Sequence, residues 1–182
     1  MNYYRCIGGS GGSEKNTIAD FDYTSSLIDS IRALTGVNTN CTQSENGLYF
    51  PTNNANIKYD MFTSLWKIPN TTIELDVGNG SISYTSNNNR LIMWSTTNGL
   101  VYRANQGWAV YNDSWSNIIS NDKDFFNNST IKLETLSNNK VAIYKDNVKI
   151  DEYSLGSTGV FTLGASSNSC NGMYIKALRL YM

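Results

Sequence analysis

The sequence predicts an all-β protein in which two antiparallel sheets pack face to face. Apolar and polar residues alternate in short segments such as Thr71–Val77 and Val141–Lys145, and a period of two is typical of half-buried strands. Turn-forming residues separate such segments at intervals of about 8–12 residues, the spacing expected of a sandwich. Asparagine is abundant, at 25 of 182 residues, and its side chain stabilises turns by bonding to the backbone.

The first elements in chain order are a linker and a strand. Residues 1–16 include the run Gly8–Ser13, whose composition predicts a flexible N-terminal tether; an artificial linker is the alternative. Residues 17–182 then form one domain, which begins with the alternating strand Ile18–Tyr23. Thr24–Gly36 is ambiguous between a short helix and a strand. The helix is suggested by the helical spacing of its apolar residues: Leu27, Ile28, Ile31 and Leu34.

The middle of the chain continues as short strands. Thr71–Val77 is the clearest of them, with Ile73, Leu75 and Val77 on one face. The other predicted strands are Asn46–Phe50, Ile57–Tyr59, Ser81–Tyr84, Arg90–Thr96, Gly99–Arg103 and Trp108–Tyr111. Turns are expected at Asn87–Asn89, Asn98–Gly99 and Gln106–Gly107, and Asn98–Gly99 is the strongest hairpin signal. The polar loop Asn121–Ser129 carries Phe125–Phe126, which we expect to cover one edge of the core.

The C-terminal part predicts a β-meander. Its segments are Ile131–Thr135, Val141–Tyr153, Phe161–Ala165 and Tyr174–Tyr181. Within the second, Asp146–Asn147 fits a two-residue hairpin turn, since both residue types tolerate positive φ.

Composition and charge argue against several classes of function. Lysine and arginine are scattered and the net charge is −1, so the electrostatic footprint of a nucleic-acid binder is missing. The longest apolar run within a strand is Leu91–Trp94, far short of the ~20 residues that span a bilayer, so no membrane partner is expected. Met1–Ile7 lacks the apolar segment of a secretory signal peptide.

The chain has no histidine and three cysteines, Cys6, Cys41 and Cys170. Without histidine, Ser-His-Asp and Cys-His catalysis are excluded. In the absence of a signal peptide we expect reduced thiols, and a Cys41–Cys170 disulfide is the alternative. The oxygen-bearing side chains that could bind calcium form no acidic cluster, so no metal or other cofactor is predicted; they are Asp20, Asp60, Asp113, Asp146 and Asn171.

Several segments in order resemble a known family. They are Ile18–Asp29, Glu45–Phe50, Thr72–Val77, Val141–Ile150 and Leu163–Tyr181. Together they are similar to the concanavalin A-like, or laminin-G-like, jelly roll, in particular the versions carried by structural proteins of phages infecting low-GC Gram-positive bacteria. The resemblance covers residues 17–182. It implies two curved sheets and a concave face that family members use to bind sugars; some relatives bind calcium at a loop edge and others hydrolyse glycans.

The glycan hydrolases of this superfamily carry Glu, Asp and a second Glu on one strand. Glu74 and Asp76 match the first two members, but Gly78 and Asn79 stand where the second Glu is needed. Because a retaining mechanism requires two carboxylates, the sequence predicts no enzyme. Glu74 and Asp76 are then the solvent-facing positions of an alternating strand.

A candidate sugar-binding region lies between Trp94 and Trp115. Sugars expose apolar C–H faces edged by hydroxyls, so a site pairs an exposed aromatic ring with amide or charged groups. The candidate carbohydrate-binding residues are Tyr102, Gln106, Trp108, Tyr111, Asn112, Asp113 and Trp115. The alternative is that the large aromatics fill the core, which is the expectation for Trp66 and Trp94.

These observations predict a non-catalytic jelly-roll module that binds host-surface or environmental glycans. From the resemblance we expect the module on the surface of a virion that is assembled in the bacterial cytoplasm. We expect its N-terminal segment to join it to other virion proteins, and whether it forms a homo-oligomer is left open. One alternative is a structural or decoration protein that uses the same fold for protein–protein assembly without a sugar site. Another is a fragment of a bacterial surface adhesin.

Overall fold

The computed structural model describes residues 15–80, 82 and 88–182, with residues 115–117 described by their backbone only. These residues form two antiparallel sheets packed face to face, so the predicted all-β sandwich is confirmed. The Gly8–Ser13 tether lies outside the described residues, as does the predicted strand Ser81–Tyr84 apart from the buried Ile82.

Fifteen strands and two short helices make up the described part. Sheet 1 contains β1 (Thr17–Asp22), β3 (Thr42–Ser44), β4 (Gly47–Tyr49), β6 (Thr72–Val77), β11 (Thr130–Leu136), β12 (Lys140–Lys145), β13 (Val148–Ser154) and β15 (Tyr174–Tyr181). Sheet 2 contains β2 (Val37–Thr39), β5 (Asn56–Tyr59), β7 (Asn88–Met93), β8 (Gly99–Arg103), β9 (Gly107–Tyr111), β10 (Trp115–Ser120) and β14 (Phe161–Gly164). The 3₁₀ helices are Asp60–Phe62 and Leu65–Lys67; neither is long enough to cross a membrane, and no other helix occurs in the described ranges.

The strand order brings distant parts of the chain together. Sheet 1 runs β13-β12-β11-β6-β15-β4-β3, and β1 also pairs with β15. Sheet 2 runs β10-β9-β8-β7-β14-β5-β2. The C-terminal strand therefore lies in the middle of sheet 1, between β6 and strands from the first fifty residues, which closes the domain.

The core lies between the inner faces of the two sheets. Ile73, Leu75 and Val77 of β6 are all buried there, as the alternation predicts. Trp66 and Trp94 are also core residues, with ring centroids 5.6 Å apart, and the indole N–H of Trp94 donates to the Leu155 carbonyl at 2.8 Å. Both tryptophans thus pack as expected. Phe126 is fully buried, so the loop that carries it covers the core edge as predicted.

One predicted hairpin turn is confirmed and another is wrong in detail. Asp146 (φ 50°) and Asn147 (φ 66°) form the two-residue turn between β12 and β13, with the positive φ pair that a type I′ turn requires. Asn98–Gly99 is not a two-residue turn, because Gly99 is already paired with Met93 within the sheet. A Cβ at Gly99 would clash with the Ile92 carbonyl oxygen and the Met93 sulfur. Glycine is needed there for close packing.

Three further expectations need correction or completion. Thr24–Gly36 forms turns with a single Ile28–Thr35 bridge, and neither a helix nor a strand. The Asp29 carboxylate accepts backbone N–H groups from Asp20 and Arg32, and such local bonds compete with a helix. Asn88 and Asn89, expected in a turn, belong to β7. Cys41 and Cys170 are both free thiols.

Candidate functional site

Alternation along the β8–β9 hairpin decides which aromatic residues can meet a ligand. Leu100, Tyr102, Trp108 and Val110 point into the main core, whereas Val101 and Tyr111 contribute to a small cluster on the outer face of sheet 2. Because side chains alternate strictly along a strand, Trp108 and Tyr111 are forced onto opposite faces.

Trp108 and Tyr102 are core residues, which corrects their assignment to an exposed sugar platform. Their side chains are 0% and 4% exposed, with ring centroids 5.5 Å apart. Trp108 also packs edge-on against Phe126, and its indole N–H donates to the Lys123 carbonyl at 3.1 Å. Proximity to a strand end suggested exposure, but the loop that carries Phe126 covers this end of the strand.

The outer face of sheet 2 carries a row of residues that crosses the sheet. Strand register aligns Lys58 on β5 with Thr162 on β14, then Met93 on β7, Gly99 on β8 and Tyr111 on β9. The backbone of Trp115 on β10 pairs with Tyr111 and extends the row; the Trp115 side chain lies outside the described part of the chain. Gly99 contributes no side chain to the row and Met93 packs closely against it, so the middle of the row is apolar.

This row forms the floor of a groove. Met93 and Val101 are each 2% exposed and pack with Ala165 and Tyr111. Met93 and Ala165 line a groove of about 540 Å³, Val101 and Tyr111 line a smaller one of about 260 Å³, and Arg90 borders both. We call the two together the groove. An apolar floor with a few polar groups at its margin is the usual composition of a small-ligand site.

Two cations and one carboxylate border the larger groove: Lys58, Arg90 and Asp60. The Arg90 guanidinium lies 3.4 Å from both the carbonyl and the hydroxyl oxygen of Ser167. Among the described residues, no carboxylate comes within ion-pairing distance of Arg90 or Lys58. The groove therefore offers positive charge to a ligand.

A buried asparagine fixes the edge of the groove. The Asn98 amide nitrogen donates to the Asp113 carboxylate and to the Ser157 carbonyl, each at 3.1 Å, and the Asn98 side-chain oxygen accepts the Asp113 backbone N–H at 2.9 Å. The Ser157 N–H donates to the other carboxylate oxygen of Asp113 at 3.0 Å. We call Asn98, Asp113 and Ser157 the loop clasp. It joins the β7–β8, β9–β10 and β13–β14 loops, and the last of these borders the groove with Ser157 and Thr158.

The loop clasp explains the roles of two predicted site residues. Hydrogen bonds from Asn98 and from the Ser157 backbone hold the pKa of Asp113 below its usual value, so the carboxylate stays ionised within the clasp. Asn112 donates to the Ser154 carbonyl at 3.0 Å and likewise ties loops together. Gln106 is exposed in the turn at the other end of the β8–β9 hairpin, where its backbone N–H bonds to Arg103.

Of the predicted residues with described side chains, Tyr111 is therefore the one that lines the groove, and Asn112 and Asp113 support its edge. Sequence reasoning missed Arg90, Lys58, Thr162 and Met93. The signal for Lys58 was present, since a lysine between the core residues Ile57 and Tyr59 must point outward. Arg90 carried no comparable signal, because a register shift between Arg90 and Ile92 interrupts the alternation of β7.

Glu74 and Asp76 lie on the outer face of sheet 1, on the far side of the sandwich from the groove. The Glu74 carboxylate accepts the Tyr181 hydroxyl at 3.3 Å. Asp76 accepts the Thr130 hydroxyl at 2.8 Å and an Arg179 guanidinium N–H at 2.7 Å. Both carboxylates take part in hydrogen bonds within sheet 1. In the described parts of the chain, no three Cys, Asp or Glu side chains group closely enough to hold a metal ion.

No protein-family model matches the sequence, and no curated protein matches it significantly. Solved structures do share its fold. Trypanosoma rangeli sialidase in complex with sialic acid superimposes with a TM-score of 0.67 and 13% identity, covering 91% of this chain and 30% of the sialidase chain.

Toxin domains give a similar match. The binding domain of botulinum neurotoxin serotype D has a TM-score of 0.61 and 10% identity, covering 91% of this chain and 48% of that one. The receptor-binding domain of a C/D mosaic serotype has a TM-score of 0.62 and 9% identity, with 91% and 47% covered. The chain thus spans less than a third of the sialidase and about half of the toxin domains. At these identities, the likeness establishes the fold alone.

Proposed function

We propose that this chain is a non-catalytic sugar-binding module whose ligand lies in the groove on the outer face of sheet 2. The observation that carries the proposal is the groove itself, where the apolar Met93, Val101 and Tyr111 lie beside Arg90 and Thr162. Apolar carbon surfaces of a sugar can rest on the floor while its hydroxyls bond to the margin. Two of the structures that share the fold are named as sialic-acid-bound or receptor-binding, which supports the same direction.

The proposal assigns no catalytic step. The only carboxylate that borders the larger groove in the described part of the chain is Asp60, whereas glycoside hydrolysis by the usual mechanism needs two across the scissile bond. The two carboxylates considered from the sequence, Glu74 and Asp76, lie on the other sheet, where Tyr181 bonds to Glu74 and Arg179 and Thr130 bond to Asp76. Turnover of any polysaccharide by the purified protein would contradict this part.

The proposed setting is a virion surface, with residues 1–16 as the tether to other virion proteins. Its support is the resemblance of segments such as Thr72–Val77 and Leu163–Tyr181 to jelly rolls of phage structural proteins. An antibody against the module should label purified particles of the phage that encodes it. Unlabelled particles would remove the setting and leave the sugar-binding proposal to its own test.

A glycan array with matched tyrosine variants tests the binding proposal. Tyr111→Ala removes the aromatic surface of the groove and should weaken binding about tenfold, as loss of roughly 1.4 kcal/mol of contact energy requires. Tyr144→Ala is the control, because Tyr144 is also partly buried but lies on the outer face of sheet 1, bonded to Glu134 at 3.0 Å. It should bind as wild type does.

The result that overturns the proposal is an array on which the folded wild-type protein binds no sugar. Equal loss of binding in both tyrosine variants would also contradict it, since the groove would then have no special role. Thermal unfolding of each variant establishes that the protein used on the array is folded.

A further inference from the structure

The charges on the two outer faces are arranged differently. All five ion pairs among the described residues contain at least one residue of sheet 1, and they include Lys15–Glu134 at 2.6 Å and Arg179–Asp76 at 2.7 Å. In the groove on sheet 2, no carboxylate of the described residues comes within ion-pairing distance of Arg90 or Lys58. Arg90 and Lys58, which both border the groove, thus keep charge that no ion pair among the described residues neutralises.

Arg90 is held in place before any ligand arrives. Its backbone N–H donates to the Asn168 carbonyl at 2.7 Å, and its carbonyl accepts the Cys170 N–H at 3.0 Å. Its guanidinium rests 3.4 Å from the Ser167 oxygens, contacts at the long end of the hydrogen-bond range. A guanidinium with N–H groups to spare on a backbone held in this way suits an anion, because its planar fork matches the two oxygens of a carboxylate or the oxygens of a sulfate.

The surroundings strengthen this preference. Met93 and Val101, each 2% exposed, form an apolar floor next to Arg90, and charge interactions gain strength where water is partly excluded. The exposed Lys58 lies across the groove on β5 and adds a second cation. Among the described residues that line the groove, Asp60 is the one carboxylate, against the two cations Lys58 and Arg90, so the net charge of this lining is positive.

We propose that the ligand of this groove is a saccharide bearing an anionic substituent, which Arg90 binds directly and Lys58 attracts. The inference rests on the proposed sugar-binding function and narrows it to acidic glycans. The apolar floor and Tyr111 select a ligand with a carbon surface, so a simple anion lacks half of the recognition. Carboxylate and sulfate groups share the required chemistry.

The test compares pairs of sugars in which one member carries an anionic group and the other has a neutral group in its place. One pair is trigalacturonate and its trimethyl ester, and the other is lactose 3′-sulfate and lactose. Binding of each sugar to the whole chain is measured by calorimetry. The glycan array adds further acidic glycans beside their neutral parents. We expect the acidic member of a bound pair to bind about tenfold more tightly than its neutral partner. The ratio of the two affinities should shrink as the salt concentration is raised. A preference in the trigalacturonate pair indicates a carboxylate ligand, and a preference in the lactose pair indicates a sulfate.

Charge variants locate the effect. Arg90→Gln should abolish the preference for the acidic member, and Lys58→Gln should reduce it. Lys132→Gln is the matched control, because Lys132 is a cation on the outer face of sheet 1, where its ammonium lies 4.1 Å from the centroid of the Tyr144 ring. The preference should persist in that variant.

The outcomes distinguish the two proposals. If neutral and acidic members bind equally, or the preference survives Arg90→Gln in a folded protein, the acidic-ligand inference is wrong and sugar binding stands. If no saccharide binds, the proposed function fails and the inference fails with it. Binding of only the acidic members, lost with Arg90→Gln, supports both.

Discussion

The two outer faces of the sandwich have the same strand geometry but opposite chemistry. On sheet 1 several of the charged side chains are paired with one another, as in the network of Arg179 with Asp20 and Asp76. On sheet 2 the middle of the face is apolar and recessed, and the cations Arg90 and Lys58 lie at its margin. A face whose polar groups already bond to each other has little to offer a ligand, whereas the sheet 2 face has both unused charge and a shaped surface.

The difference arises from short stretches of sequence. Three outward positions of sheet 2 hold small or apolar residues, although positions that face water are usually polar. They are Gly99, Met93 and Val101. The outward positions of β6 and β11 in sheet 1 are instead Glu74, Asp76 and Lys132 and their neighbours. The outer face of sheet 2 therefore has an apolar centre, whereas that of sheet 1 carries charged groups.

The largest expected effect separates the core from the groove within the β8–β9 hairpin. Trp108→Ala should lower the free energy of unfolding by about 3–5 kcal/mol, because it empties a fully buried site. Tyr111→Ala, on the opposite face of β9, should cost only about 1 kcal/mol, as expected for a partly exposed side chain. Urea denaturation followed by fluorescence or circular dichroism measures both.

If the Trp108→Ala protein does not fold, the Trp108→Phe protein replaces it in the comparison. Trp108→Phe should be intermediate in stability between Trp108→Ala and wild type, and its sugar binding should be normal. If Trp108→Ala were as stable as Tyr111→Ala, the placement of Trp108 in the core would be wrong. Trp108 would then be a residue of the proposed ligand surface and not of the core.

A smaller effect is expected from the loop clasp, which shapes the groove edge on sheet 2. Asn98→Ala removes a fully buried amide that bonds to Asp113 and Ser157. We expect a loss of about 2–3 kcal/mol, since the groups left behind lose buried partners. Sugar binding should also weaken, because Ser157 and Thr158 border the groove.

Hydrogen exchange can check whether this effect is local. The amides of Ser157 and Asp113 should lose protection in Asn98→Ala, while amides of sheet 1 such as Leu75 keep theirs. Uniform loss of protection across both sheets would contradict a local role for the clasp and would mean that the two faces do not behave independently.

Local patterns predicted the architecture well. The alternation in Thr71–Val77 and the Asp146–Asn147 turn each depend on neighbours in sequence, and the structure confirms both. The failures involve distant partners. Asp29 bonds to the backbone of Asp20 nine residues away, in a segment that forms turns and not a helix, and Asn98 lies in a clasp with Ser157, which no hairpin rule anticipates.

The candidate site was harder to predict because it depends on which face of the sheet each side chain occupies. A strand pattern fixes that Trp108 and Tyr111 point in opposite directions, but not which of them meets the core. That choice is made by the packing of Phe126 against Trp108 and of Met93 beneath the groove. The groove also joins β5, β7 and β14, which are far apart in sequence.

The smallest effect is expected on sheet 1 and depends on pH. Partial burial acts to raise the pKa of Glu134, but hydrogen bonds from Lys15 and Tyr144 outweigh it and hold the pKa below its usual value. A carboxyl whose pKa is lowered by folding stabilises the protein above its unfolded pKa, and this contribution is lost as pH falls through the folded pKa. At pH 7, Glu134→Gln should therefore be less stable than wild type by at most about 1 kcal/mol, the usual limit for a surface pair.

Urea denaturation between pH 7 and pH 3 measures this contribution, and the two stability curves should converge at the acidic end. Glu45→Gln, in an exposed turn, should follow wild type throughout and serves as the control. Sugar binding at pH 7 should be the same in all three proteins, because Glu134 lies on the face without the groove. If Glu134→Gln weakened sugar binding while Glu45→Gln did not, the paired charges of sheet 1 would influence the ligand surface of sheet 2. The contrast between a self-neutralised face and a binding face would then be wrong.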